Sequence, residues 1–375
     1  MKHFHREYRS GPIVWVGIIA STCLVLFLFQ KILWLVVPFI LALIIYYVLL
    51  PLKLRLVLEG ISHDASAGIV ASGAFFLMTL FLVLALPKLA VEVVFWQESV
   101  MRYLDGGLHL LTTTLKQLEK KVGMLAQAHL TDEVTRRIAD HSDRFAQKHL
   151  PEIAMSVGAW APSLLLAPFL AFFMLRDGWR FKKFLGRAVP NAFFERTLYL
   201  LDQVDKTARA YFLGLIELTI LDTLCLAGGL WLLGVSGSLL LGLITAILAW
   251  IPFIGPMLGC LLVVLVAATD FPSDPGMVYE ALMLFLVVRL LDDFVFMPMT
   301  IGKNLNMHPL LTVLMIFVGG SVAGVPGLMM VLPMLGIIMV LGETLGMVVT
   351  DPRLQARHAY AKSLRQREVT ADLKL

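Results

Sequence analysis

The chain has 375 residues, 59% of them hydrophobic and 15% charged, with 31 Lys and Arg against 27 Asp and Glu. A soluble globule is about half apolar and about a quarter charged, so this balance excludes a soluble enzyme and points to a membrane-embedded, all-α polytopic chain. The three cysteines, Cys23, Cys225 and Cys260, lie in apolar runs without paired spacing, which supports neither a disulfide framework nor a zinc site. No cofactor, metal or nucleic-acid partner is expected.

About 20 consecutive apolar residues suffice to cross a bilayer. In chain order the candidate spans are 12–29, 32–52, 65–86, 153–175, 208–234, 238–268, 277–301 and 307–349. The first runs on into Gln30, Lys31 and another apolar stretch, so it reads as a retained helix rather than a cleaved leader. Segment 87–152 mixes both charge signs, and Leu108, Leu111, Leu115 and Leu118 recur at helical spacing. It reads as amphipathic helices outside the membrane, serving either as a cap over a pathway or as an oligomerisation scaffold. In 177–206, Trp179, Phe181 and Phe184 beside Lys182 and Lys183 suit helices lying on an anionic membrane surface.

The expected organisation is therefore 1–86 (three spans), 87–152 (extracytoplasmic helices), 153–206 (a fourth span and surface helices), 207–350 (the C-terminal core) and 351–375 (a basic tail). Lys and Arg near span ends mark the cytoplasmic side. The N-terminus, Lys53 with Arg55, the loop from Arg176 to Arg187 and the tail all carry such residues, which places both termini in the cytoplasm.

Two spans contain breaks. Pro252, Gly255 and Pro256 interrupt the run Ala246–Pro256. Proline removes a backbone donor and clashes with the preceding turn, and broken helices at membrane depth are tolerated where they are buried in protein or line a wet cavity. The alternative is a kink that only shapes packing. Gly319, Gly320, Gly324 and Gly327 break the last long segment, predicting a re-entrant hairpin over 309–324 followed by a full helix over 327–348. Inside the preceding span, Arg289 stands three and four residues from Asp292 and Asp293, on one helical face. Ionisable groups at depth face a bundle interior or water; this cluster is either an ion, proton or substrate site or a structural ion pair. Pro298 ends that helix. Lys303 and Asn304 follow it and line either the pathway or an interface. Glu217 and Asp222 in the fifth span are candidates for the same cavity, or for hydrogen bonds across helices. No ATP-binding loop is present, which argues against a primary pump.

Phe172-Phe173-Met174-Leu175-Arg176-Asp177-Gly178 resembles the aromatic-rich Arg-Asp-Gly motif of the autoinducer-2 exporter (AI-2E) family of predicted permeases. Leu233–Ser236, Leu240–Leu243, Ile251–Pro256 and Gly259 are similar to the family's second signature. Asp293–Pro298 with Gly302, Leu305, His308 and Pro309 is similar to its third, which Gly319, Gly320, Gly324, Gly327 and Pro333 complete. The resemblance covers most of 12–350. It implies about eight spans with re-entrant hairpins, a homo-oligomer in the bacterial inner membrane, and export of autoinducer-2 or another small polar metabolite; some relatives are assigned to sodium/proton exchange. Gln or Glu often precedes the third signature in the family, whereas Val288-Arg289-Leu290-Leu291 stands here, and a basic group there suits an anionic or neutral hydroxylated substrate. The reading is an H+- or Na+-coupled secondary transporter, not an enzyme, with lipid and a small polar solute as partners. The alternatives are a Na+ or Li+/proton antiporter and a non-transporting scaffold.

Overall fold

A computed structural model describes residues 12–29, 35–94, 96–121, 135–138, 148, 151–152, 155, 165–184, 194–300 and 309–350. The described residues are helical wherever they are regular: α1 Pro12–Phe29, α2 Val36–Leu58, α3 His63–Val94, α4 Trp96–Lys121, α5 165–184, α6 Phe194–Leu232, α7 Ser238–Leu248, α8 Ile254–Asp270, α9 Pro275–Leu291 and α10 Pro309–Thr350. Among the described residues, three stretches are long and apolar enough to cross a membrane, Val36–Leu58, Thr197–Leu232 and Leu310–Gly342. The chain divides into two compact units. One comprises Ile32–Gly178 with Ala210–Asn306; the other comprises Met1–Lys31, Trp179–Arg209 and Met307–Leu375.

In the larger unit α2 turns into α3 through Gly60, whose φ of 92° is the left-handed conformation that ends helices. The amides of Glu59, Gly60 and Ile61 close that end on Arg55, Val57 and Leu56, and Ser62 Oγ caps α3 by accepting from Ala65 N at 3.3 Å. Small side chains let α2 approach α5, where Ala42 packs with Ala167 and Ala171. The main core lies among α6, α7, α8 and α9, with Leu230, Val263, Val278 and Ala281 fully enclosed. The amphipathic α4 closes on α8. Gly106 and Gly107 approach Thr269 and Leu265 so tightly that a Cβ on either would overlap them, and Thr114 Oγ1 meets Tyr279 Oη at 3.3 Å. The helical reading of 96–121 thus holds, and its seat is α8 and α9.

The expected single span over 238–268 is two helices of 11 and 17 residues, about 17 and 26 Å long. Gly259 lies against Thr245 and Gly255 against Leu248, so α8 runs back antiparallel along α7. The prolines and glycine reverse the chain rather than kink it. Two expected boundaries also move. Helix α5 continues through Arg176 and Gly178 to residue 184, and α6 starts at Phe194 and runs 39 residues across the expected change from surface helix to span. One glycine costs a helix only about 1 kcal/mol, and a change from polar to apolar composition does not break a backbone.

In the other unit α1 packs along α10. Helix α10 is not straight: Gly324 has φ 59° and ψ −143°, and beyond it the chain doubles back. A Cβ on Gly319 would sit 2.8 Å from the Gly327 carbonyl and 3.0 Å from Val331, and Gly320 faces Leu328. Those pairs are the contacts of two antiparallel arms. The backbone angles at Gly324 are open essentially to glycine alone, while space around it is free. Gly324→Ala should therefore lose about 1–3 kcal/mol through the backbone only, read as a lower thermal midpoint of the purified protein in detergent. An unchanged midpoint would place the determinant of the reversal elsewhere.

Lys182 pairs with Asp205 at 2.9 Å, and the Trp179 ring carries Arg180 and Lys183 at 5.6 and 5.9 Å. Phe181 and Phe184 are exposed beside them.

Candidate functional site

The hairpin break builds a small cavity. Ala249 leaves α7, the turn passes through Pro252, and Phe253 takes φ 64°, a strained value for a bulky residue. Trp250 pins the turn to α6, its Nε1 donating to Thr219 Oγ1 at 2.8 Å. Gly255 then lets α8 begin against the Leu248 carbonyl. Between this turn, α6 and α9 lies a half-open cavity of about 30 Å³, lined by Asp222 and Leu226 of α6, Thr245 and Ala246 of α7 with Ala249 beyond it, Pro256 of α8, Phe285, Val288 and Arg289 of α9, and Asp292.

Arg289 forks between two carboxylates. Its Nη1 donates to Asp292 Oδ2 and its Nη2 to Asp293 Oδ1, the latter at 2.7 Å. Asp292 opens a π-helical turn, Asp292–Phe296, in which the Met297 amide reaches the Asp292 carbonyl. Such turns recur at functional sites. Asp292 is 5% exposed, whereas the Asp293 side chain is 44% exposed. Asp222 is 8% exposed, and its Oδ1, like Asp292 Oδ1, has no hydrogen-bond partner among the described residues. Thr245 directs its hydroxyl hydrogen to the Leu241 carbonyl at 2.7 Å. The cavity therefore presents carboxylate oxygens and one guanidinium in an otherwise apolar wall. A buried charge is held only by pairing, by hydrogen bonds or by neutralisation, so the arrangement can hold a proton, a small cation or a polar group with donors.

Of the expected site residues, Arg289, Asp292, Asp222 and Pro256 line this cavity, with Asp293 on the guanidinium, Gly255 at the head of α8 and Pro252 in the turn. Glu217 does not join them. It lies exposed on α6, five residues from Asp222 and on another face. Pro298 is exposed in the short turn Met297–Met299 beyond the π turn. Lys303 and Asn304 lie outside the described residues. Gly319, Gly320, Gly324 and Gly327 build the reversal of α10 in the other unit. Thr245 and Trp250 were missed by sequence reasoning; a lone Thr and a Trp flanking a proline break were the available signals.

Arg176, Asp177 and Gly178 form a separate cluster in α5. Arg176 donates to Asp177 Oδ2 at 3.1 and 2.9 Å and lies over the Phe172 and Phe173 rings at 5.5 and 4.7 Å. One residue earlier, the Leu175 carbonyl accepts from Lys53 Nζ at 2.5 Å, and Lys53 is 4% exposed.

The family model described as "AI-2E family transporter" matches residues 15–345. The chain is 32% identical to "Putative transport protein YueF" of Bacillus subtilis over 176 residues, 47% of this chain and 47% of that protein. It thus spans about half the length of this relative. Against "Putative transport protein MT0215" of Mycobacterium tuberculosis it is 25% identical over 332 residues, 84% of each chain. Against "Putative permease PerM" of Escherichia coli K12 it is 24% identical over 345 residues, 89% of this chain and 94% of the other.

Proposed function

The chain belongs to the AI-2E transporter family, a family of membrane transporters, and from that premise we propose that it is a secondary permease exporting a small polar metabolite such as autoinducer-2, coupled to a proton or cation. The observation that carries this reading is the cavity at the break of the α7–α8 hairpin, where buried carboxylates and Arg289 meet the turn. Discontinuous helices at the bilayer midplane are where secondary transporters bind substrate and coupling ions. Arg289 faces the hydroxyls or carboxylate of the solute, and the carboxylates Asp222, Asp292 and Asp293 carry the coupling charge. Lys303, Asn304 and Glu217 are further pathway candidates.

In this reading α7 with α8, and the two arms of α10 around Gly324, are re-entrant or broken elements of a chain with about eight spans. Helix α7, with 11 residues, is too short to cross singly and α8, with 17, stands at the lower limit, which supports that reading. In the same reading both termini lie in the cytoplasm, which the Lys and Arg near the span ends support, and the protein sits in the bacterial inner membrane. The segment 87–152 is an extracytoplasmic brace, through α4, for the hairpin. The Trp179–Phe184 stretch lies on the lipid surface, and the protein assembles as a homo-oligomer.

A cation/proton antiporter is the second reading, favoured by the two buried carboxylates, Asp222 and Asp292, that line the same pocket. Flux in proteoliposomes separates the two. Proton movement is followed under gradients of sodium, lithium and potassium, and with a panel of small polyols and carboxylates. The permease reading expects flux with an organic solute. Flux with sodium or lithium alone establishes the antiporter. In either case Asp222→Asn should reduce flux at least tenfold at equal incorporation, and unchanged flux would remove the cavity from the mechanism.

A further inference from the structure

Resting on the transport reading above, we propose that Asp222 and Asp292 share a single proton across the cavity, forming a carboxyl–carboxylate pair that is the coupling site itself. Asp292 gives one oxygen to Arg289 and keeps Oδ1 unpartnered; Asp222 Oδ1 is likewise unpartnered; both residues are more than nine-tenths buried and line the same half-open pocket. Two acceptor oxygens with no donor between them are each a desolvated, unsatisfied group. One proton remedies both. It is covalently held by one carboxyl and donated to the other, directly or through one water, for which a cavity of about 30 Å³ has room.

The charge balance selects a proton. The charged groups acting on Asp222 are Arg289, Asp292 and Asp293, all from α9 and the turn that follows; Cys225 is the titratable neighbour on its own helix. The second guanidinium nitrogen goes to Asp293, which is half-exposed and can be solvated. The buried remainder is two carboxylates against one guanidinium, and a single proton brings it to neutrality. A sodium or lithium ion would supply the same charge but needs a shell of oxygens beside the Arg289 guanidinium, and adding sodium at constant pH reads that competition. When the proton leaves, a net negative charge stays in an apolar wall. Water or a solute donor entering the half-open pocket then compensates it, which ties release of the proton to what occupies the pocket.

The test is infrared absorption of the full chain in lipid bilayers at neutral pH, in H2O and in D2O. A protonated-carboxyl C=O band that shifts in D2O is expected. Asp222→Asn should abolish it, because Asp292 then stays ionised on Arg289. Asp292→Asn should abolish it too, because Arg289 is freed to neutralise Asp222. Asp293→Asn should keep it. Asp222→Glu, which retains a carboxyl, should keep a band at a shifted frequency and serves if an Asn variant does not fold. Absence of the band from the wild-type protein overturns the pair, as does its survival in both Asn variants or its displacement by added sodium at constant pH. The band with no flux of any solute in proteoliposomes leaves the pair standing and removes the permease reading. Flux with no band does the reverse.

Discussion

Alanine in place of Gly255 should disable the protein more severely than any other single methyl group. The Cβ would fall within the van der Waals envelope of the Leu248 carbonyl and 2.9 Å from Ala249 Cα. Those are backbone atoms, so no rotamer change relieves the overlap, and the first turn of α8 must move away from the last turn of α7. Overpacking a core typically costs about 1–3 kcal/mol, and a clash with backbone belongs at or above the top of that range. The same movement opens the cavity wall at Ala249 and Pro256. The expected result is a thermal midpoint several degrees lower in detergent, together with loss of flux in proteoliposomes. Gly228→Ala is the control: nothing lies within 4 Å of its Cβ position on α6, and alanine there should stabilise by about 0.5–1 kcal/mol through helix propensity. Equal behaviour of the two variants would show that the close approach of α7 and α8 is not needed.

Neutralising Arg289 is expected to have the second large effect. Arg289→Gln leaves Asp292 buried with no counter-charge and strands Asp293 beside it. Removing one partner of a buried pair costs about 3–5 kcal/mol. The guanidinium is 32% exposed in its side chain, which sets the expectation at the lower end of that range. Arg289→Lys should recover only part of the loss, because an ammonium cannot fork to two carboxylates in one plane. The double variant Arg289→Gln/Asp292→Asn should recover stability without recovering transport, since it restores charge balance while deleting the site. Chemical-denaturant or thermal unfolding of the four proteins measures the first part, and proteoliposome flux the second. A double variant no more stable than Arg289→Gln would mean that the pair is not the source of the loss.

The breaks and the charged cluster were legible in the sequence because each depends on local chemistry. Pro252 and Pro256 lack the backbone donors that a helix continued from α7 would need, and Arg289, Asp292 and Asp293 share a face by helical spacing alone. Whether the break kinks or reverses the chain was not legible: that is decided by the approach of Gly255 to Leu248 and of Gly259 to Thr245, contacts that no periodicity records. That Asp222 rather than Glu217 lines this cavity was not legible for a related reason. Five residues turn a helix by about 140°, so only one of them can face α9, and only packing says which. The boundaries at 176–206 moved because composition changes there while helix propensity does not. Thr245 went unnoticed because a threonine that satisfies its own hydroxyl within the helix leaves no pattern.

The bond from Lys53 to the Leu175 carbonyl joins residues 122 positions apart, and that separation has a consequence for biosynthesis. At about 5–20 residues per second, α2 leaves the ribosome roughly 6–25 s before its partner in α5 exists. Throughout that interval the ammonium lacks this carbonyl, has Asp64 of α3 as its charged neighbour, and keeps its head group at the water interface on its long stem. The arrival of α5 supplies the carbonyl on which Lys53 is buried, so the seating of that charge is completed by a helix not yet made when α2 is synthesised.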